Sequence, residues 1–238
     1  MHKTELPQFA IDGVMRRRGR LHTFESIEPQ KTALVVIDMQ NVFMQPSAPA
    51  EVPVAREIVP NINRLAESVR QHGGVVAWVQ MTHGEQTKVD WSVFYGGMNK
   101  TDRAERIFEW LKEGGEGQKL WPGMDVQDGD IVATKDRYSA FLHGASDLPE
   151  TLTERGFDTV IITGTLTNVC CESSARDAMM RNYKTIMISD GNAASTDEEH
   201  TATLASIIQV FGDVFTTDEM IQLIETSAAG DKISTAAE

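Results

Sequence analysis

Three residues of this chain, an aspartate, a lysine and a cysteine, combine chemical capability with a telling position, because each stands where a short apolar run ends. Asp38 follows ALVVI (33–37), Lys135 lies just past Ile131, Val132 and Ala133 in IVATK, and Cys170 follows VIITGTLTNV, in which Gly164 breaks the apolar run. Taken singly, each has an ordinary role: Asp38 as a helix cap, Lys135 as a solvated loop charge, Cys170 as a small buried apolar residue. Taken together they form a reactive set. A carboxylate can accept a thiol proton, a lysine can keep that carboxylate charged and oriented, and a thiolate can attack a carbonyl carbon. A thiol at a strand-to-helix turn also faces the positive end of the helix dipole, which favours the thiolate, while free backbone N–H groups there can hold an oxyanion.

Convergence of the three requires a parallel sheet, whose strand ends share one rim. Strand patterns occur at 33–37, Val75 to Val79, Asp130 to Thr134, Thr159 to Thr163, Thr185 to Ile188 and Val214 to Thr216. Helical patterns lie between them, at about Pro53 to His72, Asp147 to Glu154, Cys170 to Asn182 and Thr196 to Val210. The alternation predicts a three-layer α/β/α fold with a mostly parallel sheet of about six strands. Residues 82–129 are less regular, with one helix around Arg103 to Lys112, and read equally as a lid, a surface excursion or an oligomer contact. The expected organisation is an N-terminal arm (1–30), one main α/β domain (31–226) and a flexible C-terminal tail (227–238).

The 238 residues suit one large α/β domain. A net charge of −13 argues against nucleic acid or an anionic membrane as the partner and leaves a small substrate open. The exception is the basic cluster Arg16, Arg17, Arg18 and Arg20, read as a solvated or subunit-contacting arm. Cys170 and Cys171 are the only cysteines, and as neighbours they do not form an ordinary structural disulfide. With no run of about 18 apolar residues and no signal-peptide core, a reducing, cytoplasmic setting is expected.

Three ordered segments, ALVVIDMQNVF, IVATKDRYSAF and TGTLTNVCCESSARDA, resemble the isochorismatase-like cysteine hydrolases over roughly residues 30–225. RYSAF and ESSARDA look most like the ureidoacrylate amidohydrolase group. The resemblance implies a triad of Asp38, Lys135 and Cys170, with Cys171 at a packing position, and a cis peptide between Thr165 and Leu166. It also implies an oxyanion hole formed by the backbone N–H groups of Leu166 and Cys170. One branch of the family hydrolyses a vinyl ether and has no cysteine at the nucleophile position; the cysteine here implies cleavage of a C–N bond through a thioester, releasing ammonia or an amine. Members commonly assemble as dimers or tetramers, so a homo-oligomer is expected.

Candidates for the substrate pocket are Phe43, Trp78, Tyr138 and Phe141 as apolar walls, with Gln40, Asn41 and Asn168 for an amide or ureido group. Family members that are nicotinamidases carry an Asp and His metal cluster after the second strand. Here only His83 stands in that region, in MTHGEQ, and His143 and His200 are scattered, so no metal or other cofactor is expected. Arg176, Asp177 and Asp190 are read as structural. The alternatives are a nicotinamidase or biuret-type amidase, an isochorismate-like vinyl-ether hydrolase, and a vicinal-thiol redox or interaction protein.

Overall fold

The computed structural model describes residues 1–98 and 102–235. The apolar runs become six strands: β1 (Thr32–Ile37), β2 (Val75–Met81), β3 (Ile131–Lys135), β4 (Thr159–Thr165), β5 (Lys184–Ala193) and β6 (Asp213–Phe215). They form one sheet in the order β3-β2-β1-β4-β5-β6, with every neighbouring pair parallel. From β1 the chain winds outward to β3, then returns to β4 on the other side of β1 and winds the opposite way. That reversal opens a crevice beyond the carboxyl ends of β1 and β4, where open α/β sheets bind ligands.

Helices are α1 (Gln8–Arg18), α2 (Asn41–Met44), α3 (Val59–Gln71), α4 (Glu85–Asp90), α5 (Asp102–Trp110), α6 (Leu148–Glu154), α7 (Glu172–Met180), α8 (Asp197–Ser206) and α9 (Thr217–Thr235). The period of two along each strand divides the core. Ala33, Val35 and Ile37 face the layer that includes α6, α7 and α8, whereas Leu34, Val36 and Trp78 face α3 and α9. Burying both faces is what makes β1 and β4 read as unbroken apolar runs.

Several elements differ from expectation. The helix expected from Pro53 is a 3₁₀ turn (Pro53–Arg56) followed by α3, and the N-terminus of the next long helical pattern is a π-turn (Thr167–Cys171) leading into α7. β5 continues to Ala193, past Asp190, whose Oδ1 caps α9 by accepting from the backbone N–H and hydroxyl of Thr217, each at 2.7 Å. The segment from 227 is helical through Thr235, so the expected flexible tail is the continuation of α9; residues 236–238 lie outside the described residues. The N-terminal segment is packed rather than extended. Ala10 and Val14 of α1 are buried, and the buried Asp213 accepts from the backbone N–H groups of Thr23 and Phe24 and lies 3.5 Å from Arg18. Arg16, Arg17 and Arg20 stay exposed, so the basic cluster divides between solvent and Asp213.

One glycine sets the spacing of the two central strands at the rim. Gly164, paired with Ile37, has φ +118°, and a Cβ there would lie 2.0 Å from the Ile37 carbonyl oxygen. No side chain fits without moving β1 or β4. Gly164→Ala is therefore expected to lower unfolding free energy in urea by more than about 3 kcal/mol. Gly84→Ala, where nothing lies within 4 Å and φ is ordinary, should cost less than about 1 kcal/mol; equal midpoints for the two variants would contradict the close-approach argument.

Candidate active site

Asp38, Lys135 and Cys170 come together at the rim as the parallel sheet requires. Lys135 is the last residue of β3 rather than a loop residue, and its Nζ donates to Asp38 Oδ2 at 2.8 Å with both side chains fully buried. Asp38 leaves β1 with φ 54°, a left-handed turn that aspartate tolerates better than most residues. Its other carboxylate oxygen accepts the Met81 N–H at 3.1 Å. The lysine also donates to the Arg137 carbonyl at 3.0 Å. The Cys170 thiol completes the set, close enough to Asp38 and Lys135 for each to act on its titration.

Burial and pairing set the protonation of the three groups. Burial would drive Lys135 toward its neutral form, but attraction to Asp38 and Cys170 outweighs it and raises its pKa. Burial raises the Asp38 carboxyl, with Lys135 opposing that rise. Burial, then the Asp38 charge, push the Cys170 thiol well above the ordinary thiol range, against the pull of Lys135. The resting cysteine is thus a thiol rather than the dipole-stabilised thiolate expected from its position, because burial, and after it the Asp38 charge, outweigh a helix terminus. Cys171 is fully buried, with its Sγ 3.9 Å from the Thr163 carbonyl oxygen. The bond between Thr165 and Leu166 is cis, placing Leu166 at the entrance to the π-turn that carries Cys170.

Cys170 lies in the wall of a cavity of about 240 Å³. Phe43 and Tyr138 line it as expected, and so does Leu166. The other expected pocket residues lie elsewhere. Trp78 is on the opposite face of the sheet, its indole N–H donating to Asp130 at 2.7 Å. Phe141 is buried against Tyr183, with ring centroids 5.5 Å apart. Gln40 is a clamp rather than a substrate ligand: its amide donates to the carbonyls of Met81 and Gln118 and accepts from the Met81 N–H. Asn41 donates to Glu116 and Asn168 stands on the π-turn, both outside the cavity lining.

The remaining cavity wall comes from the irregular segment after β2. Trp91 stacks on Phe94 at 4.3 Å and meets Tyr138 edge-on at 4.9 Å, joining α4 and the following π-turn (Phe94–Met98) to the loop after β3. His83, Tyr95 and Arg103 also line the cavity. Sequence reading missed this wall because its rings meet across segments, and the one available signal was the aromatic cluster W-S-V-F-Y at 91–95.

Among the described residues, no group of three His, Cys, Asp or Glu side chains is placed to hold a metal ion. His83 is bonded through Nδ1 to the Tyr95 hydroxyl, and His200 through Nδ1 to Thr167. These residues do not fit the metal centre of the nicotinamidase type. Among the described residues, no helix is long and apolar enough to cross a membrane.

Comparison with known proteins agrees with this geometry. Residues 32–219 match the isochorismatase domain family model. The isochorismatase family protein YwoC of Bacillus subtilis is 32% identical over 84% of this chain and 97% of its own length. The ureidoacrylate amidohydrolase RutB of Variovorax paradoxus is 30% identical over 86% of this chain and 85% of its own. A crystal structure of a cysteine hydrolase from Pseudomonas syringae pv. phaseolicola superposes with a TM-score of 0.75 at 28% identity, covering 87% of this chain and 98% of that one. With an all-parallel sheet, a buried acid–lysine pair against a cysteine, and a family match spanning most of its length, this chain belongs to the isochorismatase family of hydrolases.

Proposed function

We propose that the protein hydrolyses the C–N bond of a small linear ureido or amide compound through a thioester on Cys170. The observation that carries this reading is the fully buried Lys135–Asp38 pair set against a buried thiol in the cavity wall. As Cys170 sulfur adds to the carbonyl carbon, its proton passes to Asp38, and the carbonyl oxygen takes up charge facing the Leu166 and Cys170 N–H groups. Collapse breaks the C–N bond and Asp38 returns the proton to the departing nitrogen. Water, deprotonated by Asp38, then cleaves the thioester and frees the thiol. Lys135 keeps Asp38 oriented throughout, and its fixed charge limits the carboxylate's cost of burial. The likeness to RutB, whose name gives ureidoacrylate as its substrate, supports a ureido compound.

The charges of the cavity favour a substrate with an anionic end. Glu51 lines it but is neutralised by Arg56 at 2.8 Å and accepts the Ser47 N–H at 2.7 Å. Arg103 donates only its Nε–H, to the Pro49 carbonyl at 2.8 Å, and no carboxylate among the described residues pairs with it. Its terminal nitrogens form a ready fork for a carboxylate.

Ammonia or amine release from a panel of ureido acids, biuret, nicotinamide and simple amides tests the reading. Cys170→Ala should abolish turnover, and Cys171→Ala should retain most of it; activity in both variants would remove Cys170 as the nucleophile. Arg103→Met should raise KM for a ureido acid roughly 10- to 100-fold, the loss of one hydrogen-bonded charge pair of about 1.5–3 kcal/mol. It should leave the uncharged amide of the same compound within about 3-fold, and an equal loss on both would contradict carboxylate recognition. Because the thiol pKa is raised, alkylation of Cys170 by iodoacetamide should quicken continuously from pH 7 to pH 10. A rate already at its plateau at pH 7 would show a resting thiolate instead.

A further inference from the structure

His83 lies just beyond β2 in the wall of the cavity that contains Cys170, and it is only 4% exposed. Its ring is held from two sides and its main chain is anchored as well. The Tyr95 hydroxyl is 2.8 Å from Nδ1, the Phe108 ring stacks at 5.7 Å, and the backbone N–H donates to the Leu111 carbonyl. Its Nε2 is buried without a hydrogen-bond partner among the described residues. Leaving a buried polar nitrogen unpaired is costly, and a residue pinned by a tyrosine and a phenylalanine cannot turn it to water. His83 lines the cavity, so a bound substrate can bring it a partner.

We propose that His83 is a substrate-binding residue whose Nε2–H donates to an acceptor oxygen of the bound substrate, with the Tyr95 hydroxyl donating to Nδ1 and so fixing that tautomer. The proposal rests on the amidase reading for the identity of its ligand. Tyr95 has no other hydrogen-bond acceptor among the described residues, and when its hydroxyl donates to Nδ1 the neutral imidazole carries its own proton on Nε2. The ring is neutral, since burial, together with the charges of Lys135 and Arg137, holds its pKa down to about 4. Burial also raises the Tyr95 pKa, keeping the hydroxyl protonated. A neutral donor suits this place, because a second full positive charge beside Lys135 would weaken that lysine's hold on Asp38. The pair Tyr95–His83 is thus built to orient a carbonyl or carboxylate oxygen without altering the charge of the triad. It also ties the irregular segment to the reaction, since Tyr95 belongs to the π-turn after α4.

The test is the affinity for 3-ureidopropionate measured by calorimetry in the non-hydrolysing Cys170→Ala protein, alone and with a second substitution. His83→Leu should weaken binding roughly 10- to 100-fold, as loss of a hydrogen bond to an anionic acceptor does. His83→Gln, whose amide supplies a donor, should recover most of that loss, and Tyr95→Phe should weaken binding about 3- to 10-fold by releasing the tautomer. Thermal midpoints of all variants show whether packing has changed. Binding within 3-fold of the parent for His83→Leu, or equal losses for Leu and Gln, overturns the proposal. Tight, His83-dependent binding with no hydrolysis by the wild-type protein would overturn the amidase reading and leave the assignment of His83 standing. Absence of binding by the parent contradicts both.

Discussion

The fully buried ion pair between Lys135 and Asp38 is the constraint around which the rest of the site is arranged. Two charges withdrawn from water are tolerated only if each is closely matched, and removing one partner of such a pair typically costs about 3–5 kcal/mol. The structure meets that demand from several directions. The Met81 N–H at the end of β2 satisfies one oxygen of Asp38, the Arg137 carbonyl takes a second proton of Lys135, and the thiol of Cys170 fills the remaining side. These contacts need β3, β2, β1 and β4 side by side, which the observed strand order provides. Gly164 allows β4 to approach β1 closely enough for the turn bearing Cys170 to reach the pair.

Burial, and after it the charge of Asp38, explain why the cysteine rests as a thiol. In an isolated strand-to-helix turn, the helix terminus would lower a thiol pKa by favouring the thiolate. Here the carboxylate touches the thiol, and deprotonation would place two negative charges in contact within an apolar setting. Proton movement and bond formation are therefore coupled by electrostatics: sulfur can give up its proton to Asp38 at low cost only when its new charge is being taken up by an electrophile.

The sheet and the three residues at its rim were legible in the sequence because both depend on local pattern. Unbroken β-branched runs mark doubly buried strands, and a polar residue directly after such a run must lie at a strand end. The cavity was much less legible. Trp78 reads as a pocket aromatic, but alternation along β2 puts it on the α3 and α9 face, and only the packed structure shows which face holds the cavity. Gln40 and Asn41 read as amide ligands from their position beside Asp38, yet they bond to the 116–118 segment, a contact between residues far apart in sequence. His83 looks solitary until Tyr95 and Phe108 come against it, and that Arg103 lines the same cavity as a Glu51 paired with Arg56 shows only in the folded chain. Segments that build a site by meeting across loops carry no periodicity by which to announce it.

The central claim is that the sulfur of Cys170, and not that of its neighbour Cys171, becomes covalently bonded to the substrate's carbonyl carbon. Acid quenching of the protein milliseconds after mixing with a ureido acid, followed by fragmentation of the peptide holding both cysteines, measures this directly. The account predicts an acyl or carbamoyl mass increment on Cys170 that appears and decays with turnover, leaving Cys171 free. An increment on Cys171, or steady turnover with both thiols free at every quench time, would contradict it.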